Sequence, residues 1–216
     1  MNSCWNSFPD LVSTTPFDIN VFKKYCSPES YIIDIGCGYG RICKILEQHG
    51  FKGLVGIDSS EIQLKRAKKE LTKTKLVFAD AVYLPFDDNV FNHAITFGLM
   101  NCLIKKEELE KFVSKLNHIM KPGGYWFANV YTRNDSPYFD KKYKEGLEKF
   151  KIERAFLSNS GIIFRHYSIA EIINIIDPFF DLISCEKKEF LSMGHKRTVN
   201  GYSLILKKIT YKSKYR

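Results

Sequence analysis

The sequence predicts an α/β domain: a doubly wound, mostly parallel sheet with helices on both faces. Three observations predict it. Between Tyr31 and Tyr131, short apolar runs alternate with stretches of helical periodicity. The first apolar run breaks into a glycine-rich loop that opens a helix. Asp34, Asp58 and Asp80 stand at the ends of three successive runs. In such sheets, ligands sit outside the carboxyl ends of the strands, near the point where strand order reverses.

The chain has 216 residues, enough for one domain with its own core. Hydrophobic residues make up 44% and charged residues 26%, which argues against disorder and coiled coil. A single domain over 1–216 is expected. Residues 1–30 would be an N-terminal helical cap, and 132–166 a lid-like insertion over the active-site edge.

The elements run in order along the chain. Asp18 reads as the N-cap of a short helix to about Cys26, ended by Pro28. Tyr31 to Ile35 is a strand. After the glycine loop comes a helix with Ile42, Ile45 and Leu46 inward. Gly53 to Ile57 is the second strand, and Ser59 or Ser60 caps the next helix, with Leu64, Ala67 and Leu71 in line. Leu76 to Ala79 and Phe91 to Phe97 are strands three and four. Leu109, Phe112, Val113, Leu116 and Met120 give the clearest amphipathic helix, stopped by Lys121-Pro122-Gly123-Gly124. Tyr125 to Tyr131 is the fifth strand.

The next connection, Thr132 to Gly161, has 30 residues, far beyond the usual span of about 2–6. Phe139, Tyr143, Leu147 and Phe150 give it a helix of its own. A helix from Ser168 follows, with Ile169, Ile172, Ile173 and Ile176 inward. Phe179 to Phe190 and Gly201 to Lys208 are the last strands, with a hairpin between them.

The loop reads Asp34-Ile35-Gly36-Cys37-Gly38-Tyr39-Gly40-Arg41. Its glycines allow a tight turn and let backbone approach a ligand closely. A dinucleotide fingerprint needs G-x-G-x-x-G, but the third glycine is at 40 and Arg41 stands where it should be. Asp34, two residues before the first glycine, would gain nothing beside a pyrophosphate but suits an ammonium group. Asp58 stands where a carboxylate accepts hydrogen bonds from both ribose hydroxyls. Asp80, followed by Ala81, suits an adenine amino group.

These residues resemble the class I S-adenosylmethionine-dependent methyltransferases, in the small free-standing group labelled type 11 or 25. The resemblance is carried by Ile33-Asp34-Ile35-Gly36-Cys37-Gly38-Tyr39-Gly40, Gly56-Ile57-Asp58-Ser59-Ser60, Ala79-Asp80-Ala81 with Leu84-Pro85-Phe86, and Met120-Lys121-Pro122-Gly123-Gly124. It implies a Rossmann-like sheet of seven strands whose last strand is antiparallel. It implies S-adenosylmethionine as cofactor, with S-adenosylhomocysteine as product. Gly36, Cys37, Gly38 and Gly40 would border the cofactor's methionine and ribose parts, with Asp34 near the ammonium. Asp58 would take the ribose, Ser59 would border the adenine, and Asp80 and Ala81 would meet its edge. Phe97 and Gly98 would pass near the methionine part.

The resemblance does not reach the substrate. No Asn/Asp-Pro-Pro-Tyr/Phe segment follows the fourth strand, and no Pro-Cys pair is present. Both absences lower a nucleic-acid acceptor. Six groups are substrate candidates by position: Asn101, Tyr131, Arg133, Arg165, Tyr167 and Arg197. The arginines suggest an acidic acceptor, because guanidinium pairs bidentately with carboxylate or phosphate. The aromatic stripe of the insertion suggests an apolar or aromatic one. His166 and His195 are the candidate general bases, since imidazole titrates near neutrality.

The formal charge of +9 invites an RNA partner, but it is local. Glu61 to Lys75 is net +4 and Lys207 to Arg216 net +5, one a helix face and one a tail. Six cysteines, none in C-x-x-C spacing, read as buried free thiols of a cytoplasmic protein, and no metal site is expected. No apolar run is long enough to span a membrane. Residues 1–10 do not read as a signal peptide. The reading is a methyltransferase acting on a small molecule at oxygen or nitrogen. The alternatives are an RNA or protein methyltransferase using the basic surface, and a non-catalytic scaffold that binds the same cofactor.

Overall fold

The computed structural model describes residue 6, residues 15–191 and residues 198–210. Six helices and nine strands alternate among them: α1 Ile19–Lys23, β1 Tyr31–Ile35, α2 Arg41–Gln48, β2 Gly53–Asp58, α3 Glu61–Glu70, β3 Lys75–Phe78, β4 Phe91–Thr96, α4 Lys106–Ile119, β5 Met120–Tyr131, α5 Pro137–Phe150, β6 Ala155–Leu157, β7 Ile163–Arg165, α6 Ile169–Ile176, β8 Phe180–Leu191 and β9 Thr198–Lys208. Short 3-10 turns occupy Ala81–Tyr83 and Met100–Cys102.

Seven strands form one sheet in the order β3-β2-β1-β4-β5-β9-β8, the mostly parallel sheet expected. Only β9 runs against its neighbours β5 and β8. Strand order reverses between β1 and β4, which pair in parallel. The crevice beside the glycine loop therefore lies at the switch point.

Apolar side chains cover both faces. On one, Leu109, Phe112 and Leu116 of α4 and Ile172, Ile175 and Ile176 of α6 pack on Ile33, Val55 and Trp126. On the other, Phe22, Ile42 and Leu46 pack on Ile32, Leu54 and Phe127. Asp18 caps α1 by accepting from the Asn20 and Val21 amides. Of the two serines expected to cap α3, Ser60 does so, accepting from the Gln63 amide at 3.3 Å. Among the described residues no helix is long and apolar enough to cross a membrane.

Three expectations need correction. In α6 the buried isoleucines are 172, 175 and 176, while Ile173 is half-buried. Five isoleucines in two turns leave the inward face undetermined by pattern alone. Cys102 is half-buried and Cys185 exposed, so the free thiols are not all core residues. In α5, Leu147 is 48% exposed, and the buried positions are Phe139 and Gly146. The helix lies so close to β6 that a Cβ on Gly146 would fall 1.8 Å from the Ala155 carbonyl oxygen. The β6–β7 hairpin that creates this contact has three residues per strand, too few to show a period of two. Gly146→Ala is expected to cost about 1–3 kcal/mol by overpacking, because the obstacle is backbone. Urea unfolding of the purified protein would measure it.

Candidate active site

A cavity of about 380 Å³ opens at the carboxyl ends of β1 to β5. Ten of the eleven residues expected to hold the cofactor line it: Asp34, Gly36, Cys37, Gly38, Asp58, Ser59, Asp80, Ala81, Phe97 and Gly98.

The glycine loop is held from below. The Gly36 and Cys37 amides both donate to the Ile57 carbonyl, each at 2.9 Å. Gly38 has φ +56°, and a Cβ there would meet nothing within 4 Å, so its backbone faces open space. Gly40 is the exception. It has φ +81°, but a Cβ would stand 2.5 Å from Leu71 Cδ1, and Gly40 does not line the cavity. Its smallness serves the packing of α2 on α3 instead of a ligand.

Asp58 closes β2 and accepts from the Gly38 amide through Oδ2 and from the Ser60 amide through Oδ1, both at 2.8 Å. Burial pushes its pKa up, and the amides of Ser60, Gly38 and Ser59 oppose that. Asp80 follows β3 and accepts from the Val82 amide at 2.8 Å, capping the 3-10 turn.

Asp34 differs from both. It is 3% exposed, and among the described residues its hydrogen bond is from the Cys43 thiol at 3.5 Å. Burial pushes its pKa up to about 7, with the Asp58 charge adding and Cys43 and Arg41 opposing. A buried carboxylate with so weak a partner, facing a cavity, is a group that lacks its cation.

The substrate candidates separate. Tyr131 lines the cavity, and its hydroxyl lies 2.6 Å from Thr15 Oγ1. Asn101 does not line it. It is fully buried and acts as a clamp: Nδ2 donates to the carbonyls of Tyr131 and Arg165 at 2.8 and 2.7 Å, and Oδ1 accepts from the Tyr131 amide at 2.8 Å. Asn101→Ala is expected to lower stability by about 2–4 kcal/mol, since three buried bonds at roughly 1 kcal/mol each are lost and their partners stay buried. Thermal unfolding would register it.

Arg165 is buried and pairs with Glu171 at 3.0 Å, and Arg154 pairs with the same carboxylate at 2.5 Å. Tyr167 is fully buried and donates its hydroxyl to the Leu103 carbonyl. Arg133 is exposed and pairs with Asp135 at 2.8 Å. None of these lines the cavity, so none gives support for an acidic acceptor. Arg197 lies outside the described residues.

His166 is a core residue of the insertion. It is 4% exposed, its ring sits among Phe139, Tyr143 and Phe156, and Nδ1 shares a 2.7 Å hydrogen bond with the Tyr143 hydroxyl. Burial pushes its pKa down to about 3. It is absent from the cavity wall, so this placement does not suit a general base. His195 lies outside the described residues.

Sequence reasoning missed Arg41, Gln63, Leu99, Leu103, Glu108 and Phe164 as wall residues. Gln63 carried a signal: it is a polar residue on the inward face of α3, four positions before Ala67, and only 4% exposed. Phe164 carried none, because its position depends on the hairpin folding back over the strand ends.

Residues 32–124 match the family model described as a methyltransferase domain. An uncharacterized protein of Methanocaldococcus jannaschii is 28% identical over 198 residues, 89% of this chain and 74% of that one. The demethylmenaquinone methyltransferase of Staphylococcus saprophyticus is 32% identical over 121 residues, 53% of this chain and 50% of that protein. This chain therefore matches about half the length of that enzyme. A crystal structure of a SAM-dependent methyltransferase from Methanosarcina mazei has a TM-score of 0.81 at 22% identity, over 88% of this chain and 98% of that one. The cavity suits the cofactor of that family: a carboxylate without a cation at Asp34, open backbone at Gly38 and a fixed carboxylate at Asp58. Residues 32–124 are thus matched as a methyltransferase domain, and the chain shares its fold with the S-adenosylmethionine-dependent methyltransferase of Methanosarcina mazei.

Proposed function

We propose that the protein transfers the methyl group to an oxygen or nitrogen of a small molecule. The observation that carries this reading is the lining of the cavity. Phe164 of the insertion and Tyr131 of β5 share one wall system with the three aspartates. A cavity of about 380 Å³ falls within the usual range of about 300–1,000 Å³ for small-molecule sites.

The cofactor, when bound, supplies a sulfonium that releases its methyl group to a nucleophile. The chain's own residues have the tasks of binding, aligning and excluding water. On this reading Asp34 receives the ammonium, Asp58 the ribose hydroxyls, and Asp80 with Ala81 the adenine edge. Ser59 borders the base, while Phe97 and Gly98 flank the methionine part. Residues 132–166 act as a lid and 1–30 as a cap. The insertion's tie to α6 through Arg154, Arg165 and Glu171 suits a wall that stays in place during turnover. Five free cysteines among the described residues suit a reducing compartment, the cytoplasm.

Incubation with methyl-labelled donor and a fractionated extract of cellular small molecules, RNA and protein tests the reading. Label in the small-molecule fraction is expected. Label confined to RNA or protein would replace it with the macromolecular alternative. Cofactor binding with no label in any fraction would point to the scaffold.

A further inference from the structure

Strand order divides the cavity in two. β1, β2 and β3 bring the three carboxylates that the proposed reading gives to the cofactor. β4 and β5 lie on the other side of β1, so the segments at their carboxyl ends face the acceptor. From there the wall receives Phe97, Leu99 and Leu103 after β4, Tyr131 from β5, and Phe164 from the insertion.

Two polar side chains on that side, Tyr131 and Asn129, carry no charge. The Tyr131 hydroxyl shares its hydrogen bond with Thr15. Asn129 precedes Tyr131 by two residues on the same face of β5 and is fully buried. Its Oδ1 accepts from the Gly98 amide at 2.7 Å, so Asn129 supports the end of β4 from behind the cavity wall.

Of the cations nearby, one follows β1 on the cofactor's side and the other is ion-paired. Arg41 lines the cavity but gives Nη2 to the Thr15 carbonyl at 2.6 Å, and Arg165 faces Glu171. The further charged wall residue, Glu108, is an acid. An anionic acceptor among Phe97, Leu99, Leu103 and Phe164 would leave water for an apolar wall with the Glu108 carboxylate at hand. A cation would meet the like charge of the sulfonium.

We infer that the acceptor is an uncharged, largely apolar molecule carrying one polar oxygen or nitrogen, packed by Phe97, Leu99, Leu103 and Phe164 and aimed by the Tyr131 hydroxyl. The inference rests on the methyltransferase reading of the other half of the cavity. It replaces the acidic acceptor that the arginines suggested.

One ring in three charge states tests it. Protein saturated with S-adenosylhomocysteine is titrated near neutral pH with 2-naphthol, 2-naphthoate and 2-naphthylmethylammonium. Naphthol is expected to bind at least about tenfold more tightly than either ion, a difference of ~1.4 kcal/mol. Tyr131→Phe and Phe164→Leu are each expected to weaken naphthol by about three- to tenfold, with a much smaller change in the S-adenosylhomocysteine constant. Thermal midpoints identify a variant that misfolds, and the other then decides. Naphthoate binding as tightly as naphthol, no naphthol binding, or naphthol binding indifferent to both variants would each overturn the inference. Failure of S-adenosylhomocysteine itself to bind would instead overturn the reading beneath it.

Discussion

Asp58→Ala is expected to weaken S-adenosylmethionine binding by about a hundredfold or more, measured by isothermal titration calorimetry. The carboxylate is fixed before any ligand arrives, with one oxygen on the Gly38 amide and the other on the Ser60 amide. Each oxygen keeps lone pairs for a ribose hydroxyl. Hydrogen bonds to a charged group are worth about 1.5–3 kcal/mol each, so losing two removes ~3–6 kcal/mol, and every ~1.4 kcal/mol is tenfold. The substitution also frees the Gly38 amide, which helps set the glycine loop. Asp58→Asn separates these effects. It keeps one acceptor oxygen and the shape while removing the charge, so its loss should be smaller. It should also lower the melting temperature of the cofactor-free protein somewhat, because its amide nitrogen would face the N–H of Gly38 or Ser60, donor against donor. Wild-type affinity in Asp58→Ala would mean that the ribose does not lie over β2.

What was legible in the sequence was what short-range patterns encode. Asp34, Asp58 and Asp80 could be placed at strand ends because each follows a recognisable apolar run, and the topology of a parallel sheet then gathers all strand ends on one edge. Gly40 shows the limit. It shares the loop's spacing with Gly36 and Gly38, and only its approach to Leu71 reveals that it answers to packing. Position along the chain also fails as a guide to direction. Arg165, His166 and Tyr167 stand together at the end of the insertion, where the binding edge was expected. All three are buried in the scaffold, held by Glu171, Tyr143 and Leu103. Asn101 is likewise used up in bonds to two backbone segments far apart in sequence. Neither partner could be foreseen, because contacts across a crossover have no local signature.

Relative to Asp34→Asn, the cofactor-free protein is expected to lose stability as pH rises from about 4 to about 7, and the wild type is expected to gain affinity for S-adenosylmethionine over the upper part of the same range. The groups facing Asp34 are Cys43 and Arg41 of α2 and Asp58 of β2; with Cys37 in the adjoining loop, they leave its carboxylate poorly compensated. Its pKa is 3.8 when unperturbed and about 7 when folded. Between these values the folded chain holds a proton that the unfolded chain has released. The stabilisation is therefore complete below about pH 4 and gone above about pH 7, a span of ~4 kcal/mol at 1.36 kcal/mol per pH unit. His93 and His166, with pKa values lowered to about 4 and about 3, act in the opposite direction below about pH 6.5. The difference between wild type and Asp34→Asn isolates the carboxyl. The variant should be the more stable protein at pH 8, by up to about 4 kcal/mol, with the gap closing toward pH 4. Its cofactor affinity should be weaker at pH 8 and level with pH. In the wild type the proton must leave before the ammonium is received, so affinity should fall toward tenfold per unit below about pH 7. Calorimetry at pH 6 in two buffers of different ionisation enthalpy would register that proton. An affinity flat from pH 5 to 8 would remove Asp34 from the contact. If both trends appear, the same side chain destabilises the empty protein and binds the donor, because the cofactor supplies the cation that the fold withholds.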